Sequence, residues 1–304
     1  MKLLLTLLLA LLLTVDARAC LNGYRTTLGG GAIDIEFGTW RGRPQGRDLA
    51  AEAPANRQWL RAQDSLWRAH HRLEDYSDYG VALVYLGRYR EAQAVFEAIE
   101  AQRPGLYATA ANLGTTYELL GQNERALHWI TRAVQLNPKS HEGSEWIHVN
   151  ILKAKLRGPA GITSQQLLGT DFGRGLAPTT TLAEPELLQL RAALYYQLTE
   201  RLSFVPAPDP VVARLLFDLG NIYALTVSLE EADPVFEQAR AYGGVGPLLW
   251  LRSAYFTLVE LYVDSGPFLL LPVLLIGGGW WYWRRRKKRK AVARRLVAAG
   301  WKEL

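Results

Sequence analysis

Apolar residues recur at helical spacing through most of this chain. Trp59, Leu60, Leu66, Trp67 and Leu73 mark a leading helix that starts near Pro54. From Leu73 to Ser140 one pattern is written twice. A shift of 34 residues superposes Gly80 on Gly114, Leu86 on Leu120, Gly87 on Gly121, Ala92 on Ala126 and Pro104 on Pro138. Phe96 falls on Ile130 in the same register. Small residues at Gly80/Gly114 and Ala92/Ala126 predict two helices in close approach. Gly87 and Gly121 mark the turn between them, and Pro104 and Pro138 stop the second helix.

Beyond Pro138 the pattern loosens. Ser144, Ile147, His148 and Ile151 take the places of Tyr76, Tyr79, Gly80 and Leu83, so a third unit (141–157) begins with histidine where glycine stood. Its expected second helix gives way to a Gly/Pro/Thr-rich insertion at 158–185. A helix is expected over Glu186–Phe204, then a break at Pro206–Pro210. Leu216, Leu219, Gly220, Tyr223, Ala232 and Phe236 restore the repeat spacing in a later unit (213–246). Asp233-Pro234 should make its second helix start late or kink. Trp250, Ala254 and Thr257 begin a terminal helix that runs to about Val263, within a helical region of 186–263. Only Leu21–Phe37 reads as strand. Ile33, Ile35 and Phe37 alternate with acidic residues behind Gly29-Gly30-Gly31, which predicts a hairpin inside an N-terminal segment of 20–53.

The 34-residue helix–turn–helix pattern resembles the tetratricopeptide repeat. The first unit (73–106) carries the resemblance through Tyr76, Tyr79, Gly80, Leu83, Ala92, Phe96 and Pro104. The second (107–140) carries it through Leu113, Gly114, Tyr117, Ala126, Ile130 and Pro138. The resemblance implies an all-α solenoid of helical hairpins, with leading helix and repeat units over 54–157. It also implies protein or peptide ligands on a concave face lined by the first helix of each unit. Carried over by position, that lining is Glu74, Ser77, Val81 and Tyr85, then Asn112, Thr115 and Glu118, then Arg214, Phe217 and Asn221. Some relatives grip a terminal carboxylate with a Lys/Asn/Arg set, which only Asn112, Asn221 and Arg214 resemble here. The early lining is mildly acidic and suits an extended peptide or helix with apolar and basic residues.

The two ends change the picture from generic array to membrane protein. Lys2, the apolar run Leu3–Val15 and Ala17-Arg18-Ala19 read as an export signal over 1–19. Cys20 follows it directly and is a candidate for lipidation. At the other end, 268–283 holds 16 residues with no charge, followed by seven consecutive cations, Arg284 to Lys290. The run spans roughly 24 Å as a helix, and Trp280, Trp281, Tyr282 and Trp283 belong at headgroup level. A single span from Phe268 to Trp283, a basic cytoplasmic tail (284–304) and an extracytoplasmic array follow from the positive-inside rule. The export signal gives the same orientation independently. The expectation is a bacterial inner-membrane protein with its soluble part in the periplasm.

The distribution of charge argues against a nucleic-acid reading, which would rest on the basic tail alone. The net charge is +6, yet between Cys20 and Trp283 there are 23 Lys and Arg against 27 Asp and Glu. The basic excess belongs to the tail, where it serves topology and lipid contact. One cysteine rules out an intramolecular disulfide and any multi-Cys metal site.

Candidates for chemistry are few. His141, Glu145 and His148 stand at i, i+4 and i+7, one face of a helix, where two imidazoles and a carboxylate could hold zinc. That set is the basis of an alternative reading as a metal-dependent envelope hydrolase. No HExxH or GxSxG occurs, and Asp171-Phe172-Gly173 lacks the rest of a kinase's motifs. No catalytic residue and no cofactor is therefore expected, and the residues favour a non-enzymatic scaffold or adaptor.

Overall fold

The computed structural model describes residues 43–265, 281–284, 286 and 287. Among them the structure is helical, with no strand. The expected hairpin at Leu21–Phe37 and the export segment lie outside the described residues, as does 268–280 of the expected span. Among the described residues no helix is long and apolar enough to cross a membrane. The chain divides into two compact units, residues 1–251 and 252–304.

In the first unit the order is α1 (Leu49–His70), α2 (Leu73–Tyr85), α3 (Tyr89–Gln102), α4 (Tyr107–Leu119) and α5 (Asn123–Leu136). A 3-10 turn at Ser140–Gly143 leads to α6 (Glu145–Arg157), then a short α7 (Ser164–Leu168) and α8 (Glu184–Leu202). The unit continues with α9 (Pro210–Thr226) and α10 (Leu229–Ala241) and ends within α11 (Pro247–Ser265). Within the second unit, Trp281, Tyr282 and Trp283 are helical and exposed, and the Lys287 ammonium lies 5.0 Å from the Trp283 ring centre.

The paired hairpins α2/α3, α4/α5 and α9/α10 share one packing device. A Cβ on Gly80 would lie 2.7 Å from the Phe96 ring, and one on Gly114 or Gly220 would come closer still to Ile130 or Phe236. The opposing Phe96, Ile130 and Phe236 are fully buried, as are Ala92, Ala126 and Ala232. Glycine is therefore required because the second helix lies directly on it. The α2/α3 and α4/α5 turns close the same way. Gly87 and Gly121 take φ of 72° and 74°, and the following amides bond back to Leu83 and Tyr117 at 2.9 and 2.8 Å. Those bonds satisfy carbonyls that the helix end would otherwise leave open.

Three boundaries differ from the sequence expectation. The leading helix starts at Leu49 rather than near Pro54, because Asp48 caps it by accepting from the Ala51 amide. Pro54 sits inside the helix near its start, where its missing N–H removes one early bond only. For the same reason α10 begins on time at Leu229, capped by Ser228 on the Glu231 amide, and carries Pro234 inside. The 158–185 stretch is not bare loop: it contains α7 and buries Leu167, Leu168 and Phe172. Phe172 is thus a core residue, which gives Asp171-Phe172-Gly173 a packing role.

Candidate functional site

The third unit is where the array changes character. His141, Glu142 and Gly143 all adopt left-handed backbone, with φ of 49°, 54° and 71°. For the two non-glycine residues this costs roughly 1–2 kcal/mol each. The result is that His141 precedes α6 on a turn instead of lying on one straight helix with Glu145 and His148, as expected. The turn still delivers the imidazole. His141 Nδ1 pairs with Glu145, and its ring stacks on Tyr196 at 5.2 Å.

His148 occupies the place that glycine holds in the regular units. No full second helix lies over it, so the imidazole points to the neighbouring repeat instead. Its Nε2 meets Glu118 of α4 at 2.6 Å, while its Nδ1 is 3.7 Å from Glu145, an ion pair but too long for a hydrogen bond. Glu118 is the hub. Its carboxylate also takes Lys155 Nζ at 2.7 Å and a two-pronged contact from Arg201, at 2.9 and 3.2 Å. The Glu118, His148 and Arg201 side chains are 8, 3 and 6% exposed, so water screens little of this charge.

Burial would push the Glu118 carboxyl up, but the charge of Arg201, then of His148 and Lys155, outweighs it and holds the group well below the ordinary range. Burial would likewise push His148 down, and Glu118, followed by Glu145, reverses the sign and raises it. Glu145 is held low by His141 and then His148 against its own burial. The three residues proposed as zinc ligands do come together, but as two acid–base pairs. Among the described residues no group of three or more His, Cys, Asp or Glu is arranged to hold a metal ion. The hydrolase alternative finds no constellation here to work with.

Beside Glu118 lies a cavity of about 190 Å³. Thr115, Glu118 and Leu119 of α4 form one wall, with Lys155 at 23% exposure. Glu200, Arg201 and the run Phe204–Pro206 form the other. This second wall comes from the C-terminal end of α8 and the residues that follow it. The Phe204 ring stacks on Tyr85 at 5.8 Å and 4°. The Arg47 guanidinium covers the Tyr85 ring at 4.2 Å, and its amide bonds to Ser203 Oγ at 2.8 Å. Further along, the Val205 carbonyl accepts from the Tyr242 hydroxyl at 3.0 Å, and Pro44 accepts from Gln238 at 3.0 Å.

Of the lining residues expected from the repeat positions, Tyr85, Thr115 and Glu118 gather at or beside this cavity. Ser77, Val81, Asn112, Phe217 and Asn221 are buried, Arg214 is half-buried with its guanidinium 5.6 Å from the Phe217 ring, and Glu74 is exposed. Arg201, Lys155, Phe204 and Arg47 were not expected. Arg201 carries a legible signal: Leu187, Leu190, Leu194 and Leu198 define the buried stripe of α8, and Gln197 and Arg201 sit on it. A charge on an apolar stripe announces a buried partner, though not which one.

Residues 108–140 match the tetratricopeptide repeat family. The chain contains a tetratricopeptide repeat. The match covers nearly the whole α4/α5 hairpin, including Thr115 and Glu118. A solved structure described as "MamA RS-1 ArsTM double mutant" is 15% identical, covering 64% of this chain and 88% of that one at a TM-score of 0.33. Likeness at that level carries no functional weight. No curated protein matches the chain significantly.

Proposed function

We propose that this protein is a non-enzymatic scaffold or adaptor that joins proteins at a bacterial cell envelope. The observation that carries the reading is the pair of successive hairpins, α2/α3 and α4/α5, each closed by its second helix lying on its first at Gly80–Phe96 and Gly114–Ile130. Such a surface recognises extended or helical segments of other proteins. The envelope location rests on sequence: the export-like Met1–Ala19, the apolar Phe268–Trp283 and the cations Arg284–Lys290. In this reading the array stands outside the cytoplasm, the span anchors it in the inner membrane, and the basic tail meets anionic lipid. Neither a cofactor nor nucleic acid has a place in it.

Two measurements test the two halves. In a Cys20→Ser, Glu74→Cys variant, an impermeant maleimide should label cells whose outer barrier alone has been opened. Labelling only after lysis of the inner membrane would overturn the orientation. A photo-crosslinking residue at Glu74 should give adducts to another protein in whole cells. If a folded protein gives none there or at other exposed inner-face positions, the scaffold reading fails.

A further inference from the structure

We infer that the face between Tyr85 and Glu118 docks a protein segment that ends a helix with a basic residue and carries an aromatic one three positions on, in the turn that follows. In the unbound protein, residues 201–206 hold that site. The inference rests on the scaffold reading and names the ligand chemistry of its surface.

The chain's own segment defines the chemistry. Arg201 places its guanidinium on the buried Glu118 carboxylate with two N–H···O contacts, the geometry that favours arginine over lysine. Three residues later Phe204 lays its ring flat on Tyr85. Between them α8 ends at Leu202, and a turn follows in which the Phe204 and Val205 amides donate back to the Arg201 carbonyl at 3.0 and 2.8 Å. Both anchoring residues, Tyr85 and Glu118, project from first helices of successive hairpins. A basic–x–x–aromatic segment thus bridges two repeats with two side chains.

The seat is imperfectly filled, and this distinguishes an occupant from ordinary core. A cavity of about 190 Å³ remains between Glu118 and Phe204. Thr115, 6% exposed, is one of its lining residues, and its buried hydroxyl has no hydrogen-bond partner. The glycine contacts inside the hairpins have no such gap: Phe96 and Ile130 press directly on Gly80 and Gly114. A segment that filled the void would bind better than residues 201–206. The incumbent prevails because tethering gives it an effective concentration of roughly millimolar order.

The probe is a fluorescent peptide spelling residues 198–208 (LTERLSFVPAP), titrated by anisotropy against the purified full-length chain. Wild type should bind it weakly. Phe204→Ala, which vacates the Tyr85 face, should bind at least tenfold more tightly. Adding Glu118→Gln to that variant, or replacing the peptide's arginine or phenylalanine by alanine, should abolish the gain. Should Phe204→Ala fail to fold, a Cys20→Ser, Tyr85→Cys, Phe204→Cys protein replaces it: oxidised it should refuse the peptide, and reduced it should bind. Equal binding to all folded forms, or none to any, overturns the inference. If crosslinks at Glu74 persist in that case, the array still binds proteins but not through this site.

Discussion

The regular hairpins of α2–α5 and the irregular unit of α6–α8 solve the same problem with opposite chemistry. In the first, glycine admits a second helix, and the unit is sealed by apolar atoms within its own 34 residues. In the second, histidine stands at the glycine position and the close second helix is missing. Besides its apolar core of Ile147, Ile151 and Leu152, the unit is fastened by charge to its neighbours, through Glu118 of α4 and Arg201 of α8. Apolar sealing is local and repeats along the sequence. Charge fastening is long-range, directional and open to exchange, which suits a place where a segment docks.

The largest effect should come from removing the hub. Glu118→Ala removes the carboxylate that His148, Lys155 and Arg201 share, and breaking a buried pair by removing one partner costs about 3–5 kcal/mol. Denaturant unfolding measures it. In the regular unit the same deletion at Glu91, whose partner Arg88 is exposed, should leave stability unchanged within error. If both variants lose equally, the contrast between the two regions is false. A double-mutant cycle of Glu118 with Arg201 would then show whether the coupling is specific to that pair.

Next is the apolar counterpart. Gly114→Val places a branched side chain where Ile130 already lies, and overpacking of this kind costs roughly 1–3 kcal/mol. Backbone alone would tolerate valine, since Gly114 has ordinary helical φ, so the loss measures helix–helix approach. A loss under about 0.5 kcal/mol would mean that the hairpin can open at no appreciable expense, against the fully buried Ile130.

These two sites also mark what the sequence could disclose. The 34-residue shift that aligns Gly80 with Gly114 and Phe96 with Ile130 encodes contacts inside one hairpin, and each is repeated, so the fold was legible. Glu118 could be placed on the lining by its repeat position. Its partner Arg201 lies 83 residues away on a helix outside the pattern, and an ion pair made once leaves no period. The left-handed run His141–Gly143 was equally hidden, because only tertiary contacts with Glu145 and Tyr196 explain a histidine there. The Asp48 cap was visible in principle, but the apolar pattern that starts near Trp59 drew the boundary too late.

Acidity separates the regions further. His148 is raised above its ordinary 6.5 by Glu118 and Glu145. A raised folded-state value means that its stabilisation is complete below about 6.5 and is lost as pH rises through the folded value. Glu118 and Glu145 are held below 4.5, so their stabilisation is complete above that and is lost as pH falls. Stability should therefore be highest between those limits and decline on both sides. Unfolding midpoints across pH would show it, and His148→Gln should flatten the alkaline decline. An unchanged alkaline limb in that variant would assign the titration elsewhere.

The smallest change is the most discriminating. Thr115→Val keeps the shape of a buried side chain and removes a hydroxyl that has no partner. An unsatisfied buried polar group costs about 1–3 kcal/mol, so the variant should be as stable as wild type or up to about 1 kcal/mol more stable. If Thr115 were merely tolerated in the core, nothing else would follow. If it faces a docking site, the same substitution in the Phe204→Ala background should weaken the 198–208 peptide several-fold while the protein gains stability. Stability and binding moving in opposite directions at one atom is the signature of a surface kept unsatisfied for a ligand.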